Sequence, residues 1–320
     1  MLREVLINPL LLFLLFPFLN VTPSPFTSIH RIFNTPHQPS SLSLGHDSSA
    51  MLTIMSFNIR HGSAQDGKNS WRYRRHLTLA TIRDALPDII GVQEALDFQI
   101  DYLARGLDNY QWIGVGRDDG RRAGEHAPLF YRSDRLRVDS SGTFWFSTTP
   151  QQPGSTSYGN DQPRICTWAR FCDIRNRSVC VVYNLHLDHR SARSRNQSIA
   201  QLRNHIQTHH PTLPIIITGD FNALEISRCI RQLTRPTPQN PLQRFADTFR
   251  LCHPLALRAG TMHWFSRTAH GPKIDYILTS PTIAVQSAAI IRQTPLAQPP
   301  SDHFPLIATI ALPPTLFTNR

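Results

Sequence analysis

Residues able to do chemistry stand where apolar, strand-like runs end. Asn58 closes Leu52-Thr-Ile-Met-Ser-Phe-Asn58, Glu94 closes Asp88-Ile-Ile-Gly-Val-Gln-Glu94, and His186 lies within Tyr183-Asn-Leu-His-Leu-Asp-His189. Asp220 and Asn222 follow Ile215-Ile-Ile-Thr-Gly, Asp275 opens Asp275-Tyr-Ile-Leu, and Asp302-His303 precedes Phe-Pro-Leu-Ile. Carboxylate oxygens suit a hard divalent cation. Carboxylates and imidazoles are also the usual carriers of protons in general acid–base work. Any one of these residues alone reads as a turn, a cap or a hydrogen-bonded surface group. Together, each at the end of its own strand pattern, they can converge on one rim, where loops carry function.

Alternation of apolar and polar residues marks strands at 52–58, 88–94, 111–116, 128–131, 137–146, 166–174, 179–187, 214–218, 274–278, 284–291 and 306–312. Helical spacing marks 71–86, with Leu79, Ile82 and Leu86 on one face and Pro87 as its stop. It also marks 98–107, through Ile100, Leu103 and Leu107, and 191–208, through Ile199, Leu202 and Ile206. So many strands exceed a simple doubly wound sheet. Two sheets packed face to face with helices outside would use them all. No internal repeat is visible. No composition break divides 51–314, so these residues read as one domain, followed by a short tail at 315–320.

The chain has 320 residues, 40% of them hydrophobic and 17% charged, which excludes a disordered or collagen-like polypeptide. Its formal charge is +11, and every basic residue except Lys68 and Lys273 is arginine. Arginine forks suit phosphate, although base composition of a genome inflates arginine too. Five cysteines without close paired spacing exclude a disulfide scaffold and a zinc motif, and they read as small buried residues. Residues 1–50 differ from the rest: an apolar run from Pro9 to Leu19 follows Arg3 and resembles a secretory signal, and a Pro/Ser/Thr-rich linker follows it. The chain is then secreted or exported. If translation starts instead at Met51, it is cytoplasmic.

The set Ser-Phe-Asn58, Gln-Glu94, Asn184-x-His186, Gly-Asp220-Phe-Asn222, Ile-Asp275-Tyr and Ser-Asp302-His303 resembles the endonuclease/exonuclease/phosphatase superfamily. Deoxyribonuclease I, abasic-site endonucleases, inositol-polyphosphate phosphatases, neutral sphingomyelinases and carbon-catabolite-repressor-type deadenylases belong to it. The resemblance implies an α+β fold, a four-layer α/β/β/α sandwich with the site at one end of two packed mixed sheets. It also implies hydrolysis of a phosphate ester with Mg2+, for which Mn2+ can substitute. Glu94 would be the main metal ligand, with Asn58 and Asp302 assisting the metal or the phosphate. Asp220, beside Asn222, would orient or deprotonate the attacking water. Asp275 would hold His303 in its tautomer, His303 would donate to the phosphate, and His186 would contact it from the other side.

A less general block, Gly116-Arg-Asp-Asp-Gly-Arg-Arg-Ala-Gly-Glu125 with Pro163-Arg164-Ile-Cys-Thr-Trp168, resembles a mostly bacterial branch related to the deadenylase-like members. Glu125 and Arg164 are its candidates for substrate contact, and Trp264 is a candidate base-stacking platform. Arg117, Arg121 and Arg122, with Arg190, Arg193 and Arg195, are placed to track a nucleic-acid backbone or to be scattered surface charges. The expected activity is phosphodiester cleavage of deadenylase type, a 3′–5′ exoribonuclease acting on RNA. The alternatives are a phosphomonoesterase acting on sugar, inositol or nucleotide phosphates and an inactive relative that binds nucleic acid. No stable protein partner is implied, and a monomer is expected.

Overall fold

The computed structural model describes residues 51–236, 244–266, 268, 270–292 and 298–313. The signal-like run and linker read at 1–50 and the tail at 315–320 lie outside these residues. Two six-stranded sheets form the centre. The first has the order β11 (Ala284–Ile290), β12 (Leu306–Ala311), β1 (Met51–Asn58), β2 (Ile89–Gln93), β4 (Leu129–Arg132), β3 (Tyr110–Ile113). The second has the order β5 (Leu136–Trp145), β6 (Ile165–Asp173), β7 (Val179–His186), β8 (Ile215–Asp220), β10 (Asp275–Thr279), β9 (Ala246–Asp247).

Each sheet carries one parallel pair, β1 with β2 and β7 with β8. A parallel pair needs a long crossover, and the helices α1 (Trp71–Ala85) and α3 (Ala192–His209) supply them. Period-2 alternation then sorts the side chains. Leu52, Ile54, Ile89, Val182, Ile216 and Ile277 meet between the sheets. Met55, Phe57, Ile90 and Val92 pack outward against Ile82 of α1 and against Ile100 and Leu103 of α2 (Asp97–Gly106). Val181, Tyr183, Leu185, Ile215 and Ile217 pack outward against Ile199, Leu202 and Ile206 of α3. These are the four layers expected.

Short elements escape the periodic reading, among them α4 (Arg228–Thr234), β9 and α5 (Thr248–Cys252). Each is too short for a repeating face. The start of α5 is fixed by Asp247, whose carboxylate accepts from the Phe249 and Arg250 N–H groups. β3 ends at Ile113 instead of residue 116, because Gly114 turns the chain at φ +139. Cys166, Cys172, Cys180 and Cys229 are buried and Cys252 is half-buried, all as free thiols. Burial pushes the Cys180 thiol up to about 12, which makes it a poor nucleophile.

Candidate functional site

On the faces where the sheets meet, side chains change from apolar to polar toward one end. Along β1 the inner positions are Leu52, Ile54, Ser56 and Asn58; along β7, Val182, Asn184 and His186; along β8, Ile216, Thr218 and Asp220. The ladders pair Asn184 with Thr218, His186 with Asp220, and Asp220 with Asp275. Strand alternation and register therefore deliver His186, Asp220 and Asp275 side by side.

A buried amide layer separates this end from the apolar core. Asn184 Oδ1 accepts from Gln93 Nε2 at 2.7 Å and from Thr218 Oγ1 at 3.0 Å. Asn184 Nδ2 donates to the carbonyls of Val92 (2.7 Å) and Pro128 (3.0 Å). A side chain at Gly91 would put its Cβ 2.1 Å from Thr218 Oγ1, so the two sheets approach this closely only with glycine there.

Glu94 breaks the alternation. Gln93 already faces inward, and Glu94 joins it because its backbone is left-handed, at φ 60. Such a conformation costs a side-chain-bearing residue about 1–3 kcal/mol, and here it brings the carboxylate into the site. Glu94 Oε1 accepts from Asn58 Nδ2 at 2.9 Å, and Oε2 accepts from the His61 N–H at 3.0 Å. The other Asn58 amide hydrogen goes to Asp220 Oδ2 at 3.0 Å, while Asn58 Oδ1 accepts from the Arg60 N–H. Burial opposes ionisation of Glu94, yet the nearby His186, the Asn58 amide and His303 hold its carboxyl down at about 2.

His303 Nδ1 lies 2.8 Å from Asp275 Oδ2, and both side chains are buried. Burial disfavours a charged ring, but Asp275, Asp220 and Asp302 together raise the His303 pKa well above the ordinary histidine range. Asp220 is pushed up to about 6 by burial and by the neighbouring Asp275 charge. Its Oδ1 accepts from the Asn222 N–H at 2.8 Å. Asn222, itself left-handed at φ 48, donates from Nδ2 to the Leu187 carbonyl and lies 3.1 Å from His186 Nε2. Asp302 accepts from Ser301 Oγ and stands 3.8 Å from Arg60 Nε, and burial raises its pKa. Beneath these loops Arg74 of α1 is fully buried and donates to the carbonyls of Ile59, Arg60, Asn69 and Pro300. It clamps the β1 exit to the Asp302 approach.

Every residue expected from the strand ends thus reaches one region. Glu94, His186, Asp220, Asn222, Asp302 and His303 line a cleft of about 370 Å³, with Asn58 and Asp275 directly beneath its walls. Glu125 and Arg164 line it too. Arg60, His61, Gln162, His189 and Met262 complete the lining. Arg60 and His61 carried the same signal as Asn58, polar residues just past β1, whereas nothing local distinguishes Gln162. Trp264 is 60% exposed and stands outside the lining. The arginines expected along a nucleic-acid track are largely engaged: Arg117 with Glu125, Arg122 with Asp97 and Asp101, and Arg190 with Asp161.

The donor set fits a hard cation. Ligand atoms of Glu94, His186 and Asp220 lie within 4.8 Å of one another, as do those of Asp220, Asp275 and His303. Burial first, and then the neighbouring carboxylates Asp275 and Glu94, raise the pKa values of Asp220 and Asp302, a cost that a bound divalent ion would relieve. Asn58 meets this group through its amide bonds to two carboxylates. Asp302 stands outside the two tightest groups, beside Arg60.

A family model described as the endonuclease/exonuclease/phosphatase family matches residues 55–303. An endonuclease/exonuclease/phosphatase from Bacteroides vulgatus is 35% identical with a TM-score of 0.75, over 82% of this chain and 99% of that one. The mannosyl-6-phosphatase of Bacteroides thetaiotaomicron is 29% identical with a TM-score of 0.74, over 82% of this chain and 100% of that one. The human Nocturnin catalytic domain shares the fold at 20% identity and a TM-score of 0.66, over 82% of this chain and 94% of that one. No curated protein matches the chain by sequence.

Proposed function

The chain belongs to the endonuclease/exonuclease/phosphatase family, whose members are metal-dependent hydrolases of phosphate esters, and from that premise we propose that its cleft hydrolyses a phosphate monoester of a small molecule, with magnesium or manganese. The observation that carries this reading is the lining: among the described residues, the catalytic candidates converge on a cleft whose only rings are histidines. Reading RNA one base at a time calls for stacking platforms, and the exposed Trp264 lies outside this lining. The likeness to a mannosyl-6-phosphatase points the same way.

Glu94 would hold the cation, with Asn58 orienting its carboxylate and Asp302 adding negative charge beside it. A cation bound there would neutralise phosphoryl oxygens and increase the acidity of a bound water. Asp220, poised near neutrality and fixed by the Asn222 N–H, takes the proton of the attacking water as its oxygen bonds to phosphorus; the ester P–O bond breaks, and the departing oxygen takes a proton from solvent to leave as the alcohol. Asp275 fixes His303 through Nδ1, leaving Nε2 to donate a hydrogen bond to the charge that develops on the phosphoryl oxygens. His186 and Asn222 contact the phosphoryl group from the opposite wall.

The test is a panel of esters offered to the full chain with magnesium, manganese or chelator: a hexose 6-phosphate, a chromogenic phosphodiester, oligo(A) RNA and single-stranded DNA. Metal-dependent release of inorganic phosphate from the hexose ester, with RNA untouched, is expected. Shortening of RNA from its 3′ end without phosphate release would replace this reading with the deadenylase one. Binding of nucleic acid that weakens with salt and ignores metal, without turnover, would leave the inactive relative.

A further inference from the structure

We infer that Glu125, Gln162, Arg164 and His189 form a subsite that reads the hydroxyl groups of a polyol or pyranose carried by the phosphate, an inference resting on the monoesterase reading above. These four side chains line the cleft on the His186 side, with Glu125 3.7 Å from His186 Nδ1 and Arg164 against both His186 and His189. Arg164 is the unusual member. Its side chain is 4% exposed, yet its Nε has no hydrogen-bond partner and the Asp188 carboxylate stands off at 3.6 Å. Its remaining N–H groups face imidazoles, Nη1 toward His186 and Nη2 toward His189 Nδ1 at 3.0 Å. A guanidinium so buried is ordinarily locked to a carboxylate by hydrogen bonds.

Arg117 behind the wall sets the other two side chains. Its Nη1 donates to Glu125 Oε2 at 2.7 Å, and its Nη2 donates to Gln162 Oε1 at 2.6 Å. Glu125 also meets His186, and the Gln162 side chain is exposed at the cleft. Because Arg164 can only donate, His189 Nδ1 accepts and its Nε2 carries the ring proton. The wall therefore offers one carboxylate acceptor among several donors. Hydroxyl groups match that array, since each both donates and accepts. Charge sharpens the choice: Arg117 and Arg164 are balanced by Glu125 and Asp188, so the wall favours an uncharged group. The Glu125 carboxylate opposes the next phosphate of a nucleic-acid strand.

The experiment compares kcat/KM of the full chain, with saturating magnesium, for a hexose 6-phosphate and for propyl phosphate, which carries the same phosphate without hydroxyls. The wild-type preference for the hexose ester is expected to be at least about a hundredfold. Glu125→Gln and Gln162→Ala are each expected to reduce that preference at least about tenfold, chiefly through KM for the hexose ester. Gln162 is exposed, so its variant keeps the fold and the test does not depend on the buried positions. Equal turnover of both esters by the wild type, or an undiminished preference in both variants, overturns the subsite alone. A wild type that shortens RNA and releases no phosphate from either ester overturns the monoesterase reading, and the subsite with it.

Discussion

The two ends of the sandwich handle buried charge in opposite ways. At the end where β1 begins, Arg135 lies between Asp88 at 2.8 Å and Asp173 at 3.2 Å, and all three side chains are almost wholly buried. Asp88 also accepts from the Thr53 N–H, and Arg135 donates to the Met51 carbonyl, so charges and strand ends are tied into one knot. At the end where β1 finishes, Glu94, Asp220, Asp275 and Asp302 crowd together with histidines. The nearest guanidinium to them, Arg60, is already forked onto Asp66. The first end cross-links the two sheets. The second keeps negative charge under-compensated and open to the cleft, the condition for binding a cation and a phosphate, at a cost in stability.

The largest break in this comparison is expected at the closed end. Arg135→Met removes the guanidinium shared by two buried carboxylates and should cost about 3–5 kcal/mol in urea unfolding, with turnover per folded molecule unchanged. A loss below about 1 kcal/mol would show that the sheets do not depend on that knot. At the open end, Asp220→Asn and His303→Ala should each lower kcat by at least about a hundredfold with the circular-dichroism spectrum retained. No drop in kcat would remove them from the chemical step. Smaller again, Asn58→Ala should raise the magnesium needed for half-maximal rate about ten- to a hundredfold, because the amide orients both Glu94 and Asp220. Glu94→Gln should raise that requirement too, and an unchanged metal dependence in both would refute their part in holding the ion.

The smallest effect tests the stability cost directly. Asp220 has a pKa raised by burial to about 6, so above that pH its buried charge destabilises the metal-free fold. As the pH falls from there toward 3.8, the value of an unperturbed aspartate, the cost fades, and below 3.8 it is gone. In chelator, Asp220→Asn should therefore stabilise the protein at pH 7.5 and by less at pH 5, read as the difference in Tm from wild type. A difference that is constant or grows on acidification would contradict the assigned cause.

Strand periodicity in the sequence was enough to place Asn58, His186, Asp220 and Asp275 at strand ends, and Gly-Asp220-Phe-Asn222 with Ser-Asp302-His303 was enough to point to one family. Period-2 alternation is set by neighbouring residues, and so is the apolar-to-polar change along β1, β7 and β8. What required the tertiary structure was convergence. Glu94 enters the site only because a left-handed backbone reverses its side, a conformation held by the Asn58 amide and the His61 N–H from another strand and loop. Gln162 and Glu125 become neighbours through Arg117, across a gap of some 37 residues that no local pattern spans. The short α4, β9 and α5 form against surfaces already in place and have no periodic face of their own to announce them. Local geometry decides which side of a strand a residue takes. Which distant residues meet there depends on strand register and sheet packing, and those are properties of the whole fold.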